Sequence, residues 1–311
     1  MAESIADYDL PNASRSPLDP LRQVRAEVLR WSGADASQAS DELVAEEPLD
    51  LQLASAPDQP RHTLAVIMRT PGHDEELAAG FLYSEGLLRG GHELVGFTQG
   101  SDPDGLPSDN VLEVRAAPGV DLLQRLRDEG YSRQFAVNAS CGVCGKNSVA
   151  AACAALPPVP DGSLHLEPAT LSALPGRLRA AQQVFNSTGG LHAAGLFDAT
   201  GTLLALREDV GRHNAVDKLI GRALLDGALP LAERVLLVSG RLSFEIVLKA
   251  LAAGIPLLAA VSAPSSLAVD LALAGNITLV GFLRGASFNI YTHPWRLLLP
   301  PTLGTAKNHL L

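Results

Sequence analysis

Cysteine is scarce in this chain, with three residues in 311. Three thiols cannot build a disulfide framework, and such sparing use fits a reducing compartment. Long apolar runs are missing too. The most apolar region, residues 246–261, is broken by Lys249, Gly254 and Pro256, so nothing reaches the roughly 18 uninterrupted apolar residues of a membrane-spanning helix. Positive charge is short. There are 24 Lys and Arg against 34 Asp and Glu, a net charge of −10. That balance argues against a general nucleic-acid or membrane-surface binder, and an anionic ligand would need a local basic site. The first residues carry Glu3, Asp7 and Asp9 and no apolar core, so no signal peptide is visible and a cytoplasmic location is expected. There is no Walker lysine motif and no strand-linked G-x-G-x-x-G, so neither a P-loop nor a Rossmann nucleotide site is supported.

Two of the three cysteines stand together, in Ser140-Cys141-Gly142-Val143-Cys144-Gly145-Lys146. The glycines let the backbone turn and leave the sulfurs uncrowded. The alanine-rich run Val149 to Leu156 follows and predicts a helix. A thiol near a helix N-terminus with Lys146 beside it has a lowered pKa, hence more thiolate. Three chemistries compete. A structural zinc site needs four ligands, and beyond this pair only Cys153 and eight scattered histidines remain. A thioredoxin-type pair belongs after the first strand of a βαβ unit, whereas this one lies mid-chain, before any such pattern. The third is a reactive thiolate that carries a group.

Composition along the chain predicts a polar tail over residues 1–20, an N-terminal α+β domain over 21–138, a CxxC loop, helix and connector over 139–167, an α/β domain over 168–300 and a tail over 301–311. In the N-terminal part, Arg22 to Trp31 reads as a strand or short helix, Gly33 to Ser40 as a turn or loop, and Leu49 to Leu53 and His62 to Met68 as strands. Thr70-Pro71-Gly72-His73-Asp74-Glu75-Glu76 reads as a helix start, with Thr70 capping and the proline in the first turn. Gly100 to Asn110 reads as a loop. Thr170 to Phe185 has helical spacing. Ala193 to Phe197 and Leu203 to Arg207 read as a hairpin. From Ala215 the pattern alternates helix and strand, which predicts a largely parallel sheet covered by helices.

In such sheets, sites form where strands end and loops begin. Arg241, Ser262 to Ser266 and Arg284 fall at those places, and Thr188-Gly189-Gly190-x-His192 offers another flexible loop. The densest cluster is Glu208-Asp209-Val210-Gly211-Arg212-His213-Asn214-Ala215-Val216-Asp217-Lys218. Its Arg, His, Asn and Lys can donate to anions, and its glycine and helix start suit a phosphate. A solvated helix end is also charged, so the cluster alone does not decide between the two.

These residues together resemble the formate dehydrogenase accessory sulfurtransferases. The resemblance is carried by Arg69-Thr70-Pro71-Gly72-His73-Asp74-x-Glu76-Leu77, the Ser140–Lys146 stretch, Thr188-Gly189-Gly190-x-His192-x-Ala194, Glu208 to Lys218, Ser239-Gly240-Arg241-x-Ser243-x-Glu245, Ser262-Ala263-Pro264-x-Ser266-Leu267-Ala268, and Gly281-Phe282-x-Arg284 with Asn289-x-Tyr291. It spans about residues 45 to 295 in order.

The resemblance implies a cytoplasmic sulfur carrier. A cysteine desulfurase would load a persulfide on Cys141, with Cys144 auxiliary. The sulfur would pass to the molybdenum cofactor, Mo-bis(molybdopterin guanine dinucleotide), before that cofactor enters the formate dehydrogenase catalytic subunit. It also implies a homodimer, and a C-terminal cytidine-deaminase-like three-layer domain with a mixed sheet beside the smaller N-terminal α+β domain. Cofactor binding would fall on Phe282, Leu283, Arg284, Gly285, Ala286 and Ser287. His192, Arg212, His213, Arg241, Ser262 and Ser266 are further candidates. No permanent metal is expected. The zinc deaminase signature, H-x-E with P-C-x-x-C, is absent: His192 is followed by Ala193 and Ala194, and Cys141 is preceded by Ser140. A cofactor-binding chaperone without catalysis remains the alternative.

Overall fold

Apolar tetrads dictate the centre of the molecule. Val235–Val238 and Leu257–Ala260 are apolar at every position and buried on both faces, the signature of strands covered on both sides. In the computed structural model, which describes residues 14–15, 21–33, 35–54, 62–128 and 149–300, they are the inner strands β10 and β11 of a six-stranded sheet. Its other strands are β8 (His192–Phe197), β9 (Leu203–Asp209), β12 (Thr278–Arg284) and β13 (Ser287–Thr292), in the order β13-β12-β11-β10-β8-β9. β10 pairs parallel with β11, and β11 with β12, while the remaining pairings are antiparallel. The sheet is therefore mixed rather than largely parallel. Tight turns impose antiparallel pairing within the hairpins β8–β9 and β12–β13, and β8 also runs antiparallel to β10, to which it is joined through β9 and α6 (Arg212–Leu225).

Alternation along the strands sorts the core into layers. Val235, Leu237, Leu257 and Ala259 face Leu171, Leu174 and Leu178 of α4 (Pro168–Ala181). Leu236, Val238, Leu258 and Ala260 face α6 (Arg212–Leu225), α7 (Phe244–Ala252) and α8 (Ser266–Ala274). The helix expected over Thr170 to Phe185 is two helices. α4 stops at Gln182, whose extended backbone (ψ 98°) breaks the turn, and α5 (Gln183–Thr188) follows. The run after the CxxC forms α3 (Val149–Ala155), which packs on α8.

A four-stranded sheet of β4 (Glu47–Leu53), β5 (His62–Arg69), β6 (Leu94–Ser101) and β7 (Pro107–Ala116), in the order β5-β4-β7-β6, stands with α1 (Asp74–Ser84) and α2 (Leu122–Asp128). Part of the stretch expected as a loop over Gly100 to Asn110 is thus strand, because β7 pairs with β6 from Pro107 onward. α1 starts later than its sequence suggests. Thr70 does not cap it; its Oγ1 accepts from the Val210 N–H at 3.1 Å. The residue before the helix is His73, in left-handed conformation at φ 59°. Asp74, Glu75 and Glu76 occupy the first turn, where they complement the helix dipole. α1 lies across α6 and joins the two sheets.

The third sheet is a hairpin of β2 (Gln23–Ser32) and β3 (Asp35–Val44), edged by the two-residue β1 (Ser14–Arg15). Residues expected as a loop, Asp35 to Ser40, are strand. Ten unbroken pairings from Gln23↔Val44 to Ser32↔Asp35 hold them, and their small polar side chains suit an exposed ladder. Among the described residues no helix is long and apolar enough to cross a membrane.

Candidate functional site

The C-terminal ends of β10, β11 and β12 and the start of antiparallel β8 meet at one end of the six-stranded sheet, because Val238 pairs with Ala194 and Ser239 N–H donates to the Ala193 carbonyl at 2.9 Å. That end holds most of the residues singled out above. Gly240 lies between two of them: a Cβ there would sit 3.4 Å from His192 Nδ1 and 3.6 Å from Arg212 Cδ. His192, Arg212 and His213 line a cavity of about 180 Å³ together with Glu46, Met68 and Gly211.

The loops are laced to one another by backbone bonds. Leu242 N–H donates to the Ala263 carbonyl at 3.1 Å and Ser265 N–H to the Leu242 carbonyl at 2.9 Å. Phe282 N–H donates to the Ser262 carbonyl at 3.1 Å, and Arg284 Nε to the Val261 carbonyl at 2.9 Å. Arg241, Ser262 and the Phe282–Ser287 hairpin therefore belong to one rim. Gly285, Ala286 and Ser287 are exposed at the hairpin tip, and Ser266 is exposed at the first position of α8. The α8 cap is Ser265, whose Oγ accepts from Ala268 N–H at 3.3 Å. Leu283 differs from its neighbours. Its side chain is fully buried in the core, so it meets a ligand only through its backbone.

Phe282 is held at φ 53° beside a bulge in the β12–β13 pairing. Left-handed backbone is costly for an aromatic residue, and it turns the ring outward to 40% exposure. The Arg284 guanidinium carbon lies 5.9 Å from the ring centre. Gly281 has no room for a side chain: a Cβ would lie 2.9 Å from Pro264 Cδ and 3.0 Å from Tyr291 Cε2.

Charge is arranged unevenly here. His213 is largely buried, and its Nε2 lies 3.3 Å from Ser243 Oγ. Burial, then the nearby Lys249 and Arg212 cations, push its pKa down to about 4, so it is a neutral imidazole at neutral pH. Burial and Arg212 also lower the pKa of His192. The rim thus offers two neutral rings and the guanidiniums of Arg212, Arg241 and Arg284.

Glu208, Asp209, Asp217 and Lys218 of the Glu208–Lys218 cluster are internal rather than a solvated helix end. Asp209 and Lys218 are fully buried and paired at 2.7 Å. Asp209 also accepts from Thr70 N–H, Gly211 N–H and Asn214 Nδ2, and Lys218 Nζ donates to the Thr70 carbonyl at 2.8 Å. Asn214 Nδ2 donates to the Met68 carbonyl at 2.8 Å. Glu208 accepts from Val184 and Phe185 N–H at the start of α5. Asp217 pairs with Lys249 at 2.9 Å. The donors of Asn214 and Lys218, counted above as suited to an anion, are already matched within the fold.

Sequence reasoning left out Ser243, Glu46 and Met68. Ser243 stood in the Ser239–Glu245 motif, and its tie to His213 was the missing information. Glu46 and Met68 come from the N-terminal region, and nothing local marked them. Cys141 and Cys144 lie outside the described residues. Cys153 is a free thiol packed against the main core. Among the described residues, no cluster of three or more His, Cys, Asp or Glu is placed to hold a metal.

The pattern that defines the FdhD/NarQ family matches residues 44–298. A sulfur carrier protein FdhD from Streptomyces avermitilis is 53% identical over 279 residues, covering 88% of this chain and 95% of its own length. Proteins of the same name from Streptomyces coelicolor and Saccharolobus solfataricus are 51% and 40% identical over 90% and 89% of this chain, and 97% and 99% of their own. A crystal structure from Desulfotalea psychrophila, described as a formate dehydrogenase accessory protein, superposes with a TM-score of 0.65 at 24% identity, covering 89% of this chain and all of that one. It supports the fold alone.

Proposed function

The chain belongs to the FdhD/NarQ family, and from that premise we propose that it is a sulfur carrier serving formate dehydrogenase maturation. In this reading Cys141 is the acceptor. Its thiolate attacks the terminal sulfur of a cysteine desulfurase persulfide, the new S–S bond forms at Cys141, and the desulfurase thiolate leaves. Cys144 shields or resolves the product. The sulfur then goes to Mo-bis(molybdopterin guanine dinucleotide), bound as substrate, before that cofactor enters the formate dehydrogenase catalytic subunit. The protein acts as a cytoplasmic homodimer. We read the six-stranded sheet with helices on both faces as its cytidine-deaminase-like three-layer domain, and residues 21–138 as the smaller partner domain.

The observation that carries this reading is a cationic, hydroxyl-rich rim on a chain of net charge −10 that also holds the glycine-flanked CxxC. The cargo has phosphates and guanines. Phosphates suit Arg212, Arg241, Arg284 and the backbone N–H groups around Ser262 and Ser266, and a guanine suits the outward ring of Phe282. His192 and His213 line the adjoining cavity.

The deciding experiment is mass spectrometry of the peptide containing Cys141 and Cys144 after incubation with a cysteine desulfurase and cysteine, without reductant. One added sulfur on Cys141, removed by a thiol reductant, is expected. No gain, with the desulfurase active on another acceptor, moves the reading to a cofactor chaperone that carries no sulfur. In the first case Cys141→Ala abolishes cofactor sulfuration and leaves guanine nucleotide binding intact.

A further inference from the structure

Sheet edges are templates for pairing, and folds protect them with bulges, prolines, lysines or short strands. β1 is two residues long. The pairings of the edge strands β5, β6, β9 and β13 each contain a register shift. β3 has none of these devices. Its ten residues, Asp-Ala-Ser-Gln-Ala-Ser-Asp-Glu-Leu-Val, include no proline or lysine and pair with β2 without a shift. They are exposed over most of their length; α5 also packs on the strand, and Val44 lies against Gly190. The hairpin also leaves Leu29 57% and Trp31 69% exposed, and an isolated two-stranded hairpin is marginal in water.

We propose that β3 pairs antiparallel with β3 of a second copy of this chain, across a two-fold axis at Ala39, joining the two hairpin sheets into one. The sequence itself supports this register. With Ala39 opposite Ala39 of the partner subunit, Ser37 meets the partner's Asp41, Ala36 meets the partner's Glu42, and Asp35 meets the partner's Leu43. No two acids lie opposite each other, although β3 carries three. The rows continue across β2, because Arg30 pairs with Ser37 and Val28 with Ala39. Arg30 then reaches over the small Ser37 towards the partner's Asp41, twice by symmetry. Val28 and Ala39 of both copies form one apolar stripe on the same face. The outer edge of β2 is less suitable, because β1 already occupies its base.

This surface gives a place to the homodimer of the preceding section and rests on it. The test is light-scattering mass across a dilution series of the full chain. Ala39→Glu sets two carboxylates against each other at the axis and is expected to weaken dimerisation at least tenfold, with an unchanged circular dichroism spectrum. Asp41→Arg is expected to weaken it too, and Arg30→Asp combined with Asp41→Arg to restore it. Ala39→Cys should yield a covalent dimer linked through residue 39 to residue 39. A dimer indifferent to all four changes overturns this surface and leaves the homodimer standing. A monomeric wild-type chain overturns both, and if the same variants then lost binding to formate dehydrogenase, the edge would belong to that partner.

Discussion

Gly80 of α1 and Gly221 of α6 meet where the two helices cross. A Cβ at Gly80 would lie 1.9 Å from the Asp217 carbonyl oxygen, and one at Gly221 would lie 1.8 Å from the Glu76 carbonyl oxygen. Both contacts are with backbone, which cannot step aside. Gly221→Ala must therefore push α1 away from α6 along its length. Overpacking of this kind costs about 3 kcal/mol, and Gly80→Ala should cost as much. Urea unfolding of each variant measures it. A change under about 1 kcal/mol, the size of the helix-propensity gain from replacing glycine, would mean that the helices separate freely.

His213 gives the fold an acid limb. Its pKa is about 4 in the folded protein, below the ordinary 6.5. Between those values the unfolded chain binds the proton more readily, so stability is full above about pH 6.5 and falls as pH drops towards 4. The difference corresponds to roughly 3 kcal/mol over the window. His213→Asn should flatten that part of the stability profile. Glu76 acts in a lower window. Although burial opposes it, Arg207 and His73 hold its pKa at about 2, so its contribution is lost only as pH falls from about 4.5 towards 2.

Arg212 and Lys218 are six residues apart in one helix and separate into different roles. Arg212→Ala should lower affinity for guanosine diphosphate at least fivefold by calorimetry, with little change in Tm. Lys218→Met leaves Asp209 charged and buried without its partner, which costs about 3–5 kcal/mol, and the loss should appear in unfolding rather than in ligand affinity at a temperature where the variant is folded. Equal ligand effects from the two changes would contradict the division.

Phe282 combines strain with exposure. Phe282→Gly removes a left-handed backbone penalty of about 1–2 kcal/mol along with the ring. Stability should therefore change by less than about 1 kcal/mol. Affinity for guanosine diphosphate should fall about tenfold, the worth of one base stacked on an aromatic ring. A large stability loss with unchanged affinity would make the ring a packing group instead.

Much of this was legible in the sequence, for reasons that differ by element. β10 and β11 are apolar throughout, and no other environment accommodates such runs beside helices of matching period. The sheet-end motifs were legible as loops after strands, and the fold gathers them at one rim. The β8–β9 hairpin was legible from its turn residues, whereas the antiparallel pairing of β8 with β10 was not, since β9 and α6 lie between them and periodicity carries no direction. Residues 35–40 of β3 read as loop because Ala, Ser, Gln and Asp carry no apolar alternation; only their ladder with β2 identifies them as strand. The Glu208–Lys218 cluster shows the deepest limit. A charged run looks the same whether its partners are solvent, ligand or buried counter-charges, and Asp209, Asp217 and Lys218 find theirs inside.

The seam between α1 and α6 also sets how the molecule comes apart. Glu76 binds Arg207, Ser84 Oγ donates to Asp217 at 3.0 Å, and Lys249 joins Asp217 to Glu85. Partial opening would leave several charges buried or half-solvated without counter-ions, so intermediate separations are disfavoured. α1 and α6 should then share one opening free energy in native-state hydrogen exchange, although more than 120 residues separate them and α1 belongs by sequence to the other sheet. The cooperative unit of this chain follows that charged seam, and it cuts across the domain division that composition suggests.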